Sequence, residues 1–201
     1  MTTVSVPKSE RTRQLIVEQA AGLFNQKGYA GTSMDDILKA TGLSKGGIYG
    51  NFKSKEDIAI AAFEHAVAVV TQRVRQLTRQ YDSVLDKLKA SVLFYQENIF
   101  SPPIEGGCPI QNMAIEADDS NPVLHEKVLH ALQEWQRRII YILTLGIERG
   151  EVKKEVDPTA FAILFIGTLE GGILLARVYR DRKYFDVMAT QLMRLIEDIK
   201  A

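Results

Sequence analysis

Between residues 41 and 57 the chain reads TGLSKGGIYGNFKSKED. Lys45, Lys53 and Lys55 stand among two hydroxyl residues and an amide, Ser44, Tyr49 and Asn51, and all surround the adjacent glycines Gly46 and Gly47. Ammonium, hydroxyl and amide groups at this density can hold phosphate oxygens and base edges. A glycine inside a helix costs about 1 kcal/mol relative to alanine, so a pair of them needs a reason. Nucleic-acid binding supplies one. Without side chains at 46 and 47 the main chain can come close to the bases, and Ser44 and Lys45 can then reach phosphates or base edges. Asn51 carries the paired donor and acceptor that suit adenine. Tyr49 points outward with a hydroxyl for a phosphate, and Lys55 starts the next helix, beside backbone N–H groups suited to the same anion.

Such a site needs two short helices set at an angle. GTSMDDILKA provides the first: Thr32 or Ser33 can cap it, and Asp35 and Asp36 face the positive end of its dipole. Thr41-Gly42-Leu43 breaks the chain, and Ser44 caps a second helix that runs to about Asn51. Ile48 and Phe52, four apart, form an inward stripe against Ile37, with Leu43 completing the small core. Two helices joined by a glycine-containing turn are the helix-turn-helix pattern, placed here at 33–52. Thr32, Ser33, Ser44, Lys45, Gly46, Gly47, Tyr49, Asn51 and Lys55 form the DNA-facing set. On the residues alone, the stretch also reads as a Gly-rich helical turn with lysines on a solvated face.

The rest of the chain is equally helical. Apolar residues recur at helical spacing over 11–27, with Gly28 at the C-cap, and Ser54 caps a helix reaching about Thr78. Longer helices follow at about 83–99, 109–118, 121–149, 157–180 and 184–200. Asn121-Pro122 and Asp157-Pro158 each pair an N-cap with proline at the first helical position. The fold class is all-α, with about nine helices and a breakable loop at Ser101–Gly107. Residues 1–79 hold eleven Lys/Arg against seven Asp/Glu, and 80–201 hold fourteen against eighteen. A positive front and a negative back suit a polyanion-binding part joined to a part with another task. One cysteine excludes an internal disulfide framework. The N-terminal MTTVSVPKSERTR has no apolar core for a signal peptide. Pro158–Ala176 is long enough to cross a bilayer, but Glu170 and three glycines argue against it, so no membrane is expected. No catalytic motif, cofactor or metal cluster is expected, since His125 and His130 face differently on one helix and Glu116, Asp118 and Asp119 read as a solvated helix end.

From about Arg11 to Ala66 the chain resembles the DNA-binding domain of the TetR/AcrR family of bacterial regulators. The resemblance is carried by Phe24 and Gly28, by the residues at 32–37, by Gly42-Leu43-Ser44-Lys45-Gly46, and by Tyr49-Gly50-Asn51-Phe52 before Ser54-Lys55-Glu56. The chain departs from the family at 50 and 51, where many members have His or Tyr. The resemblance implies a DNA-binding domain at 10–70 and a ligand-binding and dimerisation domain at 71–201. GGCPIQNMAIEADDSNP and LEGGILLARVYRD look like one recurrent type of that second domain. The apolar run 161–178 must be buried on all sides, either in a dimer or entirely within the chain. A two-fold homodimer is expected through Phe161, Leu164, Phe165, Gly171, Leu175, Leu192, Leu195 and Ile196. Gly167, Gly171 and Gly172 would allow close helix approach there. Phe94, Tyr95, Cys108, Met113, Trp135, Ile139, Phe165, Leu169 and Glu170 are candidate lining for an apolar or aromatic effector, or core residues. Cys108, at a helix start, reads as an electrophile or redox sensor or as a small buried hydrophobe. The expected function is a cytoplasmic, nucleoid-associated regulator, a repressor that binds a palindromic operator and is released by its effector. The alternative is a helix-turn-helix protein without a small-molecule effector.

Overall fold

The computed structural model describes residues 7–201; residues 1–6, part of the segment read above for a leader, lie outside it. Among the described residues the fold is all-α, with helices α1 (Lys8–Gly31), α2 (Met34–Thr41), α3 (Lys45–Tyr49), α4 (Lys55–Thr78), α5 (Val84–Glu97), α6 (Pro109–Ala117), α7 (Pro122–Glu148), α8 (Pro158–Tyr179) and α9 (Lys183–Asp198). Local chemistry sets the starts. Ser33 and Asp36 form a reciprocal capping box on α2, Ser44 accepts from Gly47 N–H on α3, and Ser54 accepts from Asp57 N–H on α4. Asn121 and Asp157 cap α7 and α8 ahead of their prolines. Gly42 and Gly150 close α2 and α7 with positive φ.

The chain divides into two compact units. The first takes the residues up to Ala68 together with Ile104–Lys127; the second takes Val69–Pro103 and Val128–Ala201. Segment 104–127, which a division at residue 70 assigns to the larger domain, thus belongs with α1, because it is fastened there at both ends. Asn25, buried beside Phe24, donates its amide to the carbonyls of Glu105 (2.8 Å) and Gly107 (3.1 Å). Asn112 on α6 donates to Asn25 O (2.9 Å), Asn25 Oδ1 (3.0 Å) and Gly106 O (3.1 Å). The second half of the loop read as breakable is therefore tied to α1. At the other end of α6, the Glu116 carboxylate accepts from the N–H groups of Tyr29 and Ala30, each at 2.6 Å. Glu116 is not part of a solvated helix end; it holds the turn after Gly28. Gly28 has φ +74° and ψ 173°, and a Cβ there would lie 2.5 Å from Glu116 Oε2.

In the second unit, α5 and α8 pack on α9 around Leu88, Val92, Phe165, Leu169, Phe185, Leu192 and Ile196. Gly146 admits Val84 and Val152, whose methyl groups would lie 2.5 and 2.6 Å from a Cβ at that site. Lys153 N–H donates to Ile199 O at 2.9 Å, joining the α7–α8 loop to the end of α9. Helix α8 is long and apolar enough to cross a membrane by length and composition. It buries only one side, Phe161, Phe165, Leu169, Gly172 and Ile173. Ile163, Leu164, Leu174 and Val178 are exposed. The run is thus not enclosed within one chain.

Gly106 has φ +112°, and a Cβ there would sit 2.5 Å from Asn25 O, a backbone atom that cannot step aside. Gly106→Ala should lower stability by roughly 1–3 kcal/mol in urea denaturation.

Candidate nucleic-acid interface

The helix pair is assembled from the inside. Ile37 and Ile48 are fully buried and Phe52 nearly so, which puts α2 and α3 on a shared apolar contact as their spacing requires. Arg13 of α1 lies 4.0 Å over the Phe52 ring and donates to Asn51 O at 3.0 Å, fixing the end of α3 against α1. With Ile48 turned in, Ser44, Lys45, Gly46, Tyr49 and Gly50 are turned out. Tyr49 is 54 % exposed.

The two central glycines meet almost nothing. A Cβ on Gly46 would approach Ser44 Oγ at 3.9 Å, and one on Gly47 would meet Leu43 Cβ at 3.5 Å, an ordinary contact. Neither has positive φ. Among the described residues, no contact requires glycine at 46 or 47.

Other members of the sequence-derived set are engaged within the chain. Thr32 is fully buried and donates its hydroxyl to Gly28 O at 2.7 Å. Ser33 is exposed but occupied by its capping box with Asp36. Asn51 donates its amide to Gly47 O at 2.8 Å, so the donor that would face adenine is engaged within the helix. Lys55 donates to the carbonyls of Tyr29 (2.8 Å) and Thr32 (3.0 Å) and lies 4.2 Å over the Tyr29 ring. It ties the start of α4 to the α1–α2 turn. Lys39 and Lys53, both exposed and flanking α3 in sequence, are outside the sequence-derived set; the signal available was their charge alone.

Lys27 pairs with Asp36 at 2.8 Å. That bond, followed by those from Ser33, holds the Asp36 carboxyl well below the usual carboxylate range. Burial, then the nearby Glu56 carboxylate, pushes the Tyr29 phenol up.

The effector-lining candidates fall in both units. Cys108 and Met113 are buried in the first, where Phe24, Asn25, Phe63 and Met113 border a space of about 10 Å³, room for one water. Phe94, Ile139, Phe165 and Leu169 are buried in the second, and Glu170 is half-buried. Tyr95 meets Phe94 edge-on and stacks on Trp135 at 6.0 Å.

Of the dimer candidates, Phe161, Phe165, Leu192 and Ile196 are enclosed within their own chain, as the inward side of α8 and its seam with α9 require. Gly172 likewise serves the same chain, closing on Phe185 and Met188 of α9, while Gly167 and Gly171 face open space. Leu164 is exposed, and Leu175 and Leu195 are half-buried. Ile163, Leu174 and Val178, part of the apolar run but outside the dimer set, are exposed because a uniformly apolar helix does not mark its outer side; Val187 on α9 is exposed too.

Residues 16–62 match the profile of bacterial regulatory proteins of the tetR family, and residues 84–192 match that of the tetracyclin repressor-like C-terminal domain. A TetR transcriptional regulator from Chloroflexus aurantiacus superposes with a TM-score of 0.91 at 41 % identity, over 96 % of this chain and 98 % of that one. A TetR-family regulator from Cytophaga hutchinsonii gives 0.90 at 35 %, over 98 % of each chain. The HTH-type transcriptional repressor DhaR of Mycobacterium sp. (strain GP1) is 28 % identical over 182 residues, 89 % of this chain and 88 % of the relative.

Two outcomes are expected from this geometry. Gly46→Ala or Gly47→Ala should leave thermal stability unchanged or raise it by up to about 1 kcal/mol, while DNA affinity measured by fluorescence anisotropy falls. The depressed Asp36 pKa gives a stabilisation that is complete above the ordinary carboxylate value of 3.8 and is lost as pH falls below it. Acid denaturation followed by circular dichroism should lose that component in Asp36→Asn.

Proposed function

Because the chain belongs to the tetR family of bacterial regulatory proteins, we propose that it is a cytoplasmic, nucleoid-associated repressor that binds an inverted-repeat operator as a homodimer and leaves it on binding a small effector. Members of this family are transcriptional regulators and not enzymes. The observation that carries the proposal is the outer face of α3, where two glycines are unnecessary to the fold and the neighbouring Ser44, Lys45 and Tyr49 are exposed. A helix with that face can lie in a major groove with its main chain near the base edges.

Within the sequence-derived set, Ser44, Lys45, Gly46, Gly47 and Tyr49 are the groove- and phosphate-facing residues in this reading. Ser33 flanks them at the start of α2. Thr32, Asn51 and Lys55 act from behind, by holding the α1–α2 turn and the end of α3 in place. Exposed Lys39 and Lys53 add charge for the phosphate backbone.

Dimerisation uses the outer side of α8 with its neighbours on α9. Ile163 and Val178 are 60 % and 69 % exposed, Leu164, Leu174 and Val187 are also exposed, and Gly167 and Gly171 leave room for a second helix. Two copies related by a two-fold axis would present two α3 helices to half-sites about one helical turn apart. The effector is a small apolar or aromatic molecule received among the buried aromatic residues of the second unit. An electrophile acting at Cys108 is a separate, covalent route within the first unit; operator affinity that does not change after thiol alkylation would remove it.

Selection of bound sequences from random duplexes should return an inverted repeat. Lys45→Ala should weaken binding about tenfold at fixed salt and reduce the salt slope by about one. Uniform binding to all duplexes would sink the proposal. Ile163→Glu combined with Val178→Glu, both at exposed sites, should give a folded monomer by analytical ultracentrifugation, with operator binding lost.

A further inference from the structure

Among the described residues, three arginines of the second unit make no ion pair. Arg75 and Arg79 are four residues apart at the end of α4 and share a side of it. Arg138 on α7 is half-buried and close enough to both for their charges to act on it. Burial first, then Arg75 and Arg79, lower its pKa from the ordinary guanidinium value. Among the described residues, none of these guanidinium groups makes an ion pair or hydrogen bond. Glu134, one turn before Arg138, is engaged by Arg137.

Like charges gathered at a partly desolvated position oppose folding unless something else meets them there. Guanidinium forks match the oxygens of carboxylates and phosphates in paired geometry. Trp135 lies three residues before Arg138 and so on the same side of α7. Its ring stacks on Tyr95 of α5 with 29° between planes, and both residues are half-buried, leaving part of an aromatic surface beside the charges.

We propose that Arg75, Arg79 and Arg138 form the anion-binding half of the effector site, that Trp135 forms the adjoining apolar half, and that the effector class is a small organic oxyanion, a carboxylate or phosphate ester on an aromatic or apolar body. This rests on the reading of the chain as an effector-responsive regulator and narrows the effector from any apolar molecule to an anionic one. A small occupant fits better than a polyanion, because the central guanidinium is half-buried and a polyanion is met by exposed charges.

The test uses the full chain and phenyl phosphate, with benzyl alcohol and inorganic phosphate as the ring-only and head-only controls. Trp135 is the one tryptophan, so selectively excited emission reports at the site itself. Calorimetry should show one phenyl phosphate per chain, with a change in Trp135 emission and weaker binding of both controls. Arg138→Gln should weaken phenyl phosphate about tenfold or more while leaving the melting temperature unchanged or higher, since a repelled charge is removed. Arg75→Gln with Arg79→Gln, at exposed positions, should act in the same direction and serves if Arg138→Gln fails to fold. Undiminished binding in these variants, or no binding to the wild type, would overturn the proposal. So would inorganic phosphate binding as tightly as phenyl phosphate with Trp135 silent, the signature of an adventitious ion only. Operator affinity measured on the same samples without probe separates the two readings: its loss in the wild type defeats the regulator, while phenyl phosphate binding decides the site.

Discussion

The turn between α1 and α2 holds the first unit together. Its peptide groups are gripped from three sides: Glu116 of α6 takes the N–H groups of Tyr29 and Ala30, Lys55 of α4 takes the carbonyls of Tyr29 and Thr32, and the Thr32 hydroxyl closes on Gly28 O. Charged partners on main-chain groups make short, directional bonds, and this turn has one of each sign. Ser33 and Asp36 begin α2 immediately afterwards, so the angle at which the helix pair leaves α1 is fixed by these bonds. A shift of α6 along α1 must break the Glu116 contacts or drag the turn with it.

Glycine use sorts the molecule's surfaces. Gly28, Gly106, Gly146 and Gly172 are places where a Cβ would collide with or crowd a neighbour in the same chain. Their conservation of space is internal and ends in packing. Gly46, Gly47, Gly167 and Gly171 have no such neighbour. Two lie on the outer side of α3 and two on the outer side of α8, which are the faces proposed for DNA and for the second copy. The fold tolerates the loss of helix propensity at these positions without gaining from it.

Much of this was legible in the chain itself where the determining contacts are local. Ser33, Ser44, Ser54, Asn121 and Asp157 cap the helices they precede, and Ile37, Ile48 and Phe52 bury themselves at the spacing that marks one side of a helix. What stayed hidden joins residues far apart in sequence. Thr32 and Lys55 look like phosphate ligands until their carbonyl partners are known, and nothing near Glu116 points to Tyr29, eighty-seven residues earlier. Asn51 shows a nearer failure, since an amide four residues from a carbonyl can turn inward as readily as toward a base. Asn25 offered a signal, a polar side chain inside the apolar stripe of α1, and the paired Gly106-Gly107 offered its counterpart. In α8, hydrophobicity on every side carried no information about which side faces inward.

The first unit is discontinuous in sequence, and this bears on how the chain can be divided. A reading head cut out near residue 70 would leave Asn25 without the loop carbonyls it binds, the turn at Tyr29 without its carboxylate, and Phe24 and Phe63 facing water where α6 had covered them. A graft that moves α1–α4 into another chain must therefore carry the strap at 104–127 along, or meet a compatible one in the recipient. The two segments fold as one unit, although thirty-five residues of other structure separate them.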